Sequence, residues 1–186
     1  IRFDKLALET KNFYVDMPGE YVKGINLEVR QGEIFGIGGL AGQGKIGIPN
    51  GIMGLFPAEG QVKLFGKELN LNNMGEALKN QAAFVSEDRR GVGLLLEDSI
   101  ELNIVFSAMQ TQNQYLKKIG FLTQINKTEI HDFAQRMIKT LDIRCTGSKQ
   151  HVGSSSGGNQ QKVCLAKALA LNPRILFVSE PTRGID

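Results

Sequence analysis

Ser155-Ser156-Gly157-Gly158-Asn159-Gln160-Gln161-Lys162-Val163 and, further on, Ile175-Leu176-Phe177-Val178-Ser179-Glu180-Pro181-Thr182-Arg183-Gly184-Ile185-Asp186 decide the reading of this chain. The first run is a small, glycine-rich polar turn that opens a helix. Free backbone N–H groups at a helix start, with the helix dipole behind them, make an anion site. Serine and glycine let a phosphate approach closely. The spacing predicts a helix from about Asn159 to Leu171, with Val163, Leu165, Ala166, Leu169 and Ala170 on a wide apolar face. Asn172-Pro173 ends it. Ile175 to Val178 is then a continuous apolar run, the pattern of a buried parallel strand. It delivers Glu180 to the strand's C-terminal end, where open α/β sheets place their ligands.

Working outward, a second anion-binding pattern lies upstream. A short apolar strand is predicted over Ile34 to Ile37, followed by Gly38-Gly39-Leu40-Ala41-Gly42-Gln43-Gly44-Lys45. Gly39-x-x-x-x-Gly44-Lys45 is a phosphate-binding loop of the Walker A kind. Its backbone N–H groups would wrap phosphates, with Lys45 reaching the terminal ones. The motif's next residue is normally Ser or Thr, whose hydroxyl binds Mg²⁺, and here it is Ile46. Gly36-x-Gly38-x-x-Ala41 also fits a dinucleotide fingerprint. That reading requires an acid at the tip of the next strand, but the run Gln61 to Phe65 ends in Gly66-Lys67 and Glu68 comes late. The acid-tipped strand and glycine turn downstream have no place in it.

Taken in order, these stretches resemble the ABC-type ATPases. Ser156-Gly157-Gly158-Asn159-Gln160 is similar to that family's signature loop, Ile175 to Glu180 to its Walker B strand and catalytic glutamate, and Gly184-Ile185-Asp186 to the start of its D-loop. The variants seen here most resemble the second ATPase half of tandem-domain sugar importers. The resemblance covers nearly the whole chain. It implies a P-loop NTPase of the α/β class: a RecA-like core, an N-terminal antiparallel β subdomain and a helical insert. It further implies that Gly39, Leu40, Ala41, Gly42, Gln43, Gly44, Lys45 and Ile46 hold ATP, and that Ser156, Gly157, Gly158 and Gln160 face a nucleotide held by another domain. An adenine-stacking aromatic is expected upstream, with Tyr14 and Tyr21 as candidates.

Two departures bear on magnesium. The residue before the catalytic glutamate is normally Asp in this family, and here it is Ser179. With Ile46 also lacking a side-chain oxygen, the resemblance implies a Walker A and B side that holds Mg²⁺ weakly or not at all. The signature side is retained, although Ser155 replaces the usual apolar residue. Ser86-Glu87-Asp88-Arg89-Arg90-Gly91 occupies the place of the Q-loop, with Glu87 at the position of its glutamine. Glu87 is open to two readings, a catalytic-site acid or part of a solvated charged loop.

Composition sets outer bounds. At 186 residues, 41% hydrophobic and 22% charged, the chain predicts one soluble domain with a real core. Apolar runs fall short of membrane-spanning length and no signal peptide is read. The net charge of +3 suits phosphate but lacks the basic stripe of a nucleic-acid binder, which disfavours the DNA-repair and translation members of the family. Cys145 and Cys164 have no metal or redox spacing and read as buried free thiols; His131 and His151 have no metal partners and read as surface or structural. The start at Ile1 and the end at Asp186, before the family's switch histidine, suggest a piece cut short.

Other elements follow from local pattern. Leu6 to Val15 and Gly24 to Arg30 read as strands around Met17-Pro18-Gly19, and Gln31-Gly32-Glu33 as a turn. A helix from Lys45 to about Met53 is expected, weakened by Gly47, Pro49 and Gly51. Asn73 to Gln81 reads as a short helix and Ala82 to Val85 as a buried strand. Ser99 to Lys149 reads as mainly helical, with Ile130, Phe133, Met137, Ile138 and Leu141 at helical spacing and Asn126 with Glu129 as an N-cap pair.

The expectation is therefore a single ABC domain over 1–186, with core and β subdomain over about 1–98 and 150–186 and a helical subdomain over about 99–149. The resemblance implies an ATPase of a sugar importer. It would pair with a second ABC ATPase domain in the same polypeptide and with membrane permease subunits, and indirectly with a solute-binding protein, on the cytoplasmic face of the plasma membrane. A nucleoside importer, or a non-hydrolysing scaffold domain that completes its partner's site, stand as alternatives.

Overall fold

A computed structural model describes residues 4–86, 93–119 and 121–180, and for Met74 and Ile119 the backbone alone. The chain divides into two units, Ile1–Ala82 and Ala83–Asp186.

In the first unit, strand β1 (Leu6–Val15) changes phase halfway along. Leu8 and Thr10 point inward, and so do Phe13 and Val15, so the inward set moves from even to odd positions. Alternation with period two cannot do this in a regular strand. The shift is absorbed by a bulge: register is lost between Thr10 and Phe13 against β2 (Val22–Arg30) and between Lys11 and Tyr14 against β3 (Ala58–Leu64). Asn12, at φ 45°, takes the left-handed turn of the bulge, and its N–H donates to Asn26 Oδ1 at 2.9 Å. Phe13 becomes fully buried while Tyr14 turns outward. Burying a side chain of that size stabilises by roughly 1.5–3 kcal/mol.

The sheet is antiparallel, in the order β2-β1-β3-β4, with β4 over Lys67–Glu68. β3 and β4 are joined through Phe65 and Gly66, both at positive φ, the backbone of a two-residue hairpin. Helix α1 (Gly47–Ile52) packs on this sheet, every residue buried. The glycines that weaken its propensity are what let it approach. A Cβ on Gly47 would sit 2.6 Å from Val22 Cγ2, and one on Gly51 would overlap Val15 and come 3.0 Å from Phe13. Helix α2 (Met74–Lys79) is capped by Asn73, whose side chain accepts from Gly75 N–H at 3.1 Å.

One expected element is not formed. Residues 34–37 belong to no ladder among the described residues, and Ile34, Phe35 and Ile37 are exposed. An apolar run signals a demand for burial. It does not supply the backbone partners that make a strand.

In the second unit, β5 (Ala82–Val85) and β8 (Ile175–Val178) form a two-stranded sheet. β5 is buried, whereas β8 is half-buried and Val178 exposed, less than its apolar run predicted, since β5 is its sole strand partner among the described residues. Helix α3 (Ile100–Gln112) packs against α4 (Lys127–Thr140) and α5 (Gly157–Ala170). α4 carries the Asn126 and Glu129 pair as expected: Asn126 Nδ2 donates to Glu129 Oε2 at 2.6 Å, and Asn126 Oδ1 accepts Glu129 N–H at 3.4 Å. The stretch 99–149 is not wholly helical. β6 (Leu116–Ile119) and β7 (Leu122–Ile125) form an antiparallel hairpin. Cross-strand pairs such as Leu116 with Ile125 hold it, contacts that helical periodicity does not reveal. Cys164 is buried; Cys145 is only half-buried.

Candidate functional site

The phosphate loop is built from tight backbone turns against the segment 19–22. Gly42 and Gly44 stand at φ +78° and +89°, the left-handed region that favours glycine. A Cβ on Gly42 would lie 2.9 Å from the carbonyl oxygen of Gly19, and one on Gly44 would lie 2.6 Å from that of Tyr21. Tyr21 N–H donates to Gly42 O at 2.9 Å, Gln43 N–H to Leu40 O at 3.3 Å, and Ile48 N–H to Gly44 O at 3.0 Å as α1 begins. Leu40, Ala41 and Gln43 face outward and Gly39 is open. Among the described residues, the N–H groups of Gly42, Gly44 and Lys45 have no hydrogen-bond acceptor, and the half-buried Lys45 ammonium has no acidic partner. A cluster of unpaired amides beside a cation is chemistry for phosphate.

Both candidate aromatics are accessible, Tyr14 at 44% and Tyr21 at 60% exposure. Tyr21 belongs to the segment hydrogen-bonded to the loop and carries Lys23 Nζ 4.6 Å above its ring; Tyr14 lies on β1 with its hydroxyl side against Gly24. A third residue of this region carries no motif and was missed in the sequence: Glu20, whose carboxylate accepts from the N–H groups of Ile46 and Gly47, each at 3.3 Å. Ile46 offers no side-chain oxygen.

In the second unit, Ser156 is the N-cap of α5, with Gly157 and Gly158 in the first turn. Its Oγ accepts from Asn159 N–H at 3.5 Å and Asn159 Nδ2 at 3.0 Å. Gln160 points inward, 7% exposed, and donates to Ser155 O at 3.0 Å. It therefore holds the turn from behind. The loop before α5 is sewn to the start of α3: Ile100 N–H to Gln150 O at 2.9 Å, Val152 N–H to Asp98 O at 3.0 Å and Gly153 N–H to Leu96 O at 2.8 Å. Asn103, also missed in the sequence, anchors the same segment from the buried face of α3. It accepts from Leu95 N–H at 2.8 Å and donates to Leu95 O at 2.9 Å and Ser99 O at 3.0 Å. The one signal for it is a polar residue on an otherwise apolar helix face.

Ser179 N–H donates to Val85 O at 2.9 Å, so the C-terminal ends of β5 and β8 lie side by side. Glu180 follows at φ 44°, exposed, at the tip of β8. Glu87 and Gly184-Ile185-Asp186 lie outside the described residues. Lys167, in α5, donates to Gly93 O at 2.8 Å, and burial holds its pKa below the ordinary lysine value, with Cys164 opposing. His131 Nδ1 lies 3.3 Å from Glu101 Oε2 and 3.2 Å from Ser148 Oγ, a structural cluster. Among the described residues no three His, Cys, Asp or Glu side chains form a metal-binding group.

Comparison with known proteins settles the family, since the profile described as ABC transporter matches residues 22–183. The chain belongs to the ABC transporter family. It is similar to the ribose import ATP-binding protein RbsA 2 of Rhizobium meliloti, 40% identical over 92% of this chain and 32% of that protein. It is likewise similar to the xylose import ATP-binding protein XylG of Moorella thermoacetica, 40% identical over 97% of this chain and 36% of that protein. The chain thus spans about a third of the length of these curated relatives. Among solved structures it resembles the ATP-binding cassette MJ0796 bound to ADP and phosphate, with a TM-score of 0.76 and 25% identity over 96% of this chain and 76% of that one. The fold is that of an ABC cassette, a P-loop NTPase with an antiparallel β subdomain and a helical region. No helix among the described residues is long and apolar enough to cross a membrane.

Proposed function

We propose that this chain is the nucleotide-binding domain of an ABC importer, coupling ATP binding and hydrolysis to the uptake of a sugar. The observation that carries the reading is the open amide cluster of Gly42, Gly44 and Lys45 beside an unpaired ammonium. Sugar is favoured as cargo because the relatives cited above are named for ribose and xylose import. The chain acts as a single ABC domain over 1–186, with its helical subdomain over about 99–149.

Residues 39–46 bind the nucleotide's phosphates, and Tyr14 or Tyr21 stacks on adenine. Glu180 orients the attacking water, with Glu87 as the Q-loop acid. Ser156 and the amides of Gly157 and Gly158 approach the γ-phosphate of a nucleotide held by a second ABC domain in the same polypeptide. Gln160 acts through the turn it holds. Magnesium supplies charge neutralisation in phosphoryl transfer when bound. Ile46 has no side-chain oxygen to offer it and Ser179 only a hydroxyl, so this domain's own donors fit the ion poorly and its signature serves the partner's site better than its own. Permease subunits are the membrane partners, with a solute-binding protein beyond them, and the domain sits on the cytoplasmic face of the membrane. The poor metal donors also favour a second reading, a non-hydrolysing domain that completes the partner's site.

Titration with a fluorescent ATP analogue tests the loop. Lys45→Ala should weaken binding roughly tenfold or more by removing a charge-assisted contact. Affinity should change little between Mg²⁺ and EDTA. In the complete transporter ATPase, Ser156→Arg should abolish most turnover while Glu180→Gln is mild. The reverse order would show that this domain's own site does the work, and equal binding by Lys45→Ala would remove the loop from the account.

A further inference from the structure

A carboxylate already sits on two amides at the end of the phosphate loop. Glu20 Oε2 accepts from Ile46 N–H and Gly47 N–H, each at 3.3 Å. These amides continue the row whose other members, at Gly42, Gly44 and Lys45, are open among the described residues. Carboxylate and phosphate oxygens are the same kind of acceptor to a backbone N–H. Both cannot hold one amide in the same direction, and two anions at that distance repel.

Glu20 does not reach the loop by a wandering side chain. The segment that bears it is fastened to the loop on either side, by Tyr21 N–H on Gly42 O at 2.9 Å and by the close approach of Gly19 O to Gly42. Glu20 N–H is itself fixed to Met17 O at 3.1 Å, and the stem of its side chain lies against Gly47. Among the described residues the carboxylate has no cationic partner, so backbone amides alone hold it.

We infer that Glu20 is a built-in competitor for the phosphate loop, an internal anion that occupies the amides of Ile46 and Gly47 and must swing away before a nucleotide's phosphates can take them. The inference rests on the reading of residues 39–46 as a nucleotide site. It makes nucleotide entry conditional on the 17–21 turn and tunes affinity through a residue outside the motif.

The test is ADP and ATP binding by the chain in EDTA, comparing wild type with Glu20→Gln, which keeps the side chain's shape, and Glu20→Ala, which removes it. Both variants should bind roughly fivefold or more tightly, because the competing charge is gone. In the wild type, the backbone amide resonances of Ile46 and Gly47 should shift when ADP is added, as their acceptor changes. Unchanged or weaker binding by the Glu20 variants overturns the inference, as do unmoved amide signals in the wild type at saturating ADP. A loss of affinity seen only with Mg²⁺ also overturns it, since the carboxylate would then be a metal ligand. If Lys45→Ala has no effect on binding, the nucleotide-site reading fails and takes the inference with it. If Lys45→Ala weakens binding while the Glu20 variants do not tighten it, the inference alone falls.

Discussion

Gly44 and Tyr21 meet backbone to backbone: a Cβ on Gly44 would stand 2.6 Å from the carbonyl oxygen of Tyr21, and Gly44 holds φ +89°. The second glycine of the Gly39-x-x-x-x-Gly44-Lys45 pattern is thus required twice, by its left-handed backbone and by a neighbour that is main chain and unable to rotate aside. Gly44→Ala should therefore distort the loop. We expect a loss of about 1–2 kcal/mol in stability from the backbone alone, and a loss of nucleotide affinity of roughly tenfold or more as the loop's open amides are displaced. Thermal melts and nucleotide titration check the two effects separately. Wild-type affinity in a folded Gly44→Ala chain would contradict this.

Gly51 offers a prediction whose sign is informative. In a solvent-facing helix, Gly→Ala stabilises by about 0.5–1 kcal/mol. In α1 the new methyl would overlap Val15 and crowd Phe13 at 3.0 Å, both buried side chains of β1. Gly51→Ala should instead destabilise by roughly 1–3 kcal/mol, as overpacking does. Denaturant unfolding measures it, and a gain in stability would show that α1 does not pack as closely as described.

Asn103 is 1% exposed and spends its side-chain amide on the backbone of Leu95 and Ser99. Asn103→Leu keeps the size but leaves Leu95 N–H and Leu95 O without these partners. Leu95 is itself exposed and these bonds are only part-buried, so each lost hydrogen bond costs roughly 0.5–1.5 kcal/mol, and a loss of about 1–3 kcal/mol is expected by denaturant unfolding. A change under about 0.5 kcal/mol, the usual size for a surface site, would mean that water replaces the amide at little cost.

Alkaline stability should depend on Tyr115. Burial raises its pKa, with the charge of Glu129 adding to the effect and Arg136 opposing it. Because the folded pKa lies above the ordinary value near 10, the unfolded chain ionises first. The stabilisation is complete below about pH 10 and is lost as pH rises toward the folded value. Tyr115→Phe, which removes only the hydroxyl from a buried ring, should differ from wild type by about 1 kcal/mol or less at pH 7 and lose less stability between pH 9 and pH 11. Lys167 acts in the opposite sense in both proteins: its pKa is lowered by burial, so its contribution grows with pH up to the ordinary lysine value. The difference between the two chains isolates the tyrosine, and parallel pH profiles would contradict its role.

Much of this protein was legible in local pattern because local chemistry decided it. The glycine spacing of residues 39–45, the Ser156 cap with its helix ending before Asn172-Pro173, and the Asn126 and Glu129 cap pair each rest on contacts a few residues apart, and the strands over 6–15 and 24–30 on apolar runs either side of a turn. Backbone conformation and near-neighbour hydrogen bonds impose residue types directly, so the residues report them. Other features required the chain to be folded. The bulge that turns Tyr14 outward exists because β1 must satisfy β2 and β3 at once, and the glycines of α1 make sense only against Val15 and Val22. The hairpin over 116–125 hid inside a stretch read as helical, while the apolar run at 34–37 lacks a ladder partner that apolar residues cannot themselves provide. Glu20 is the sharpest instance. A glutamate in a turn names no function, and only a loop folded back from 26 residues away brings the Ile46 amide to its carboxylate. Motifs record what a site's backbone must do, whereas long-range packing chooses which ordinary side chain stands in it.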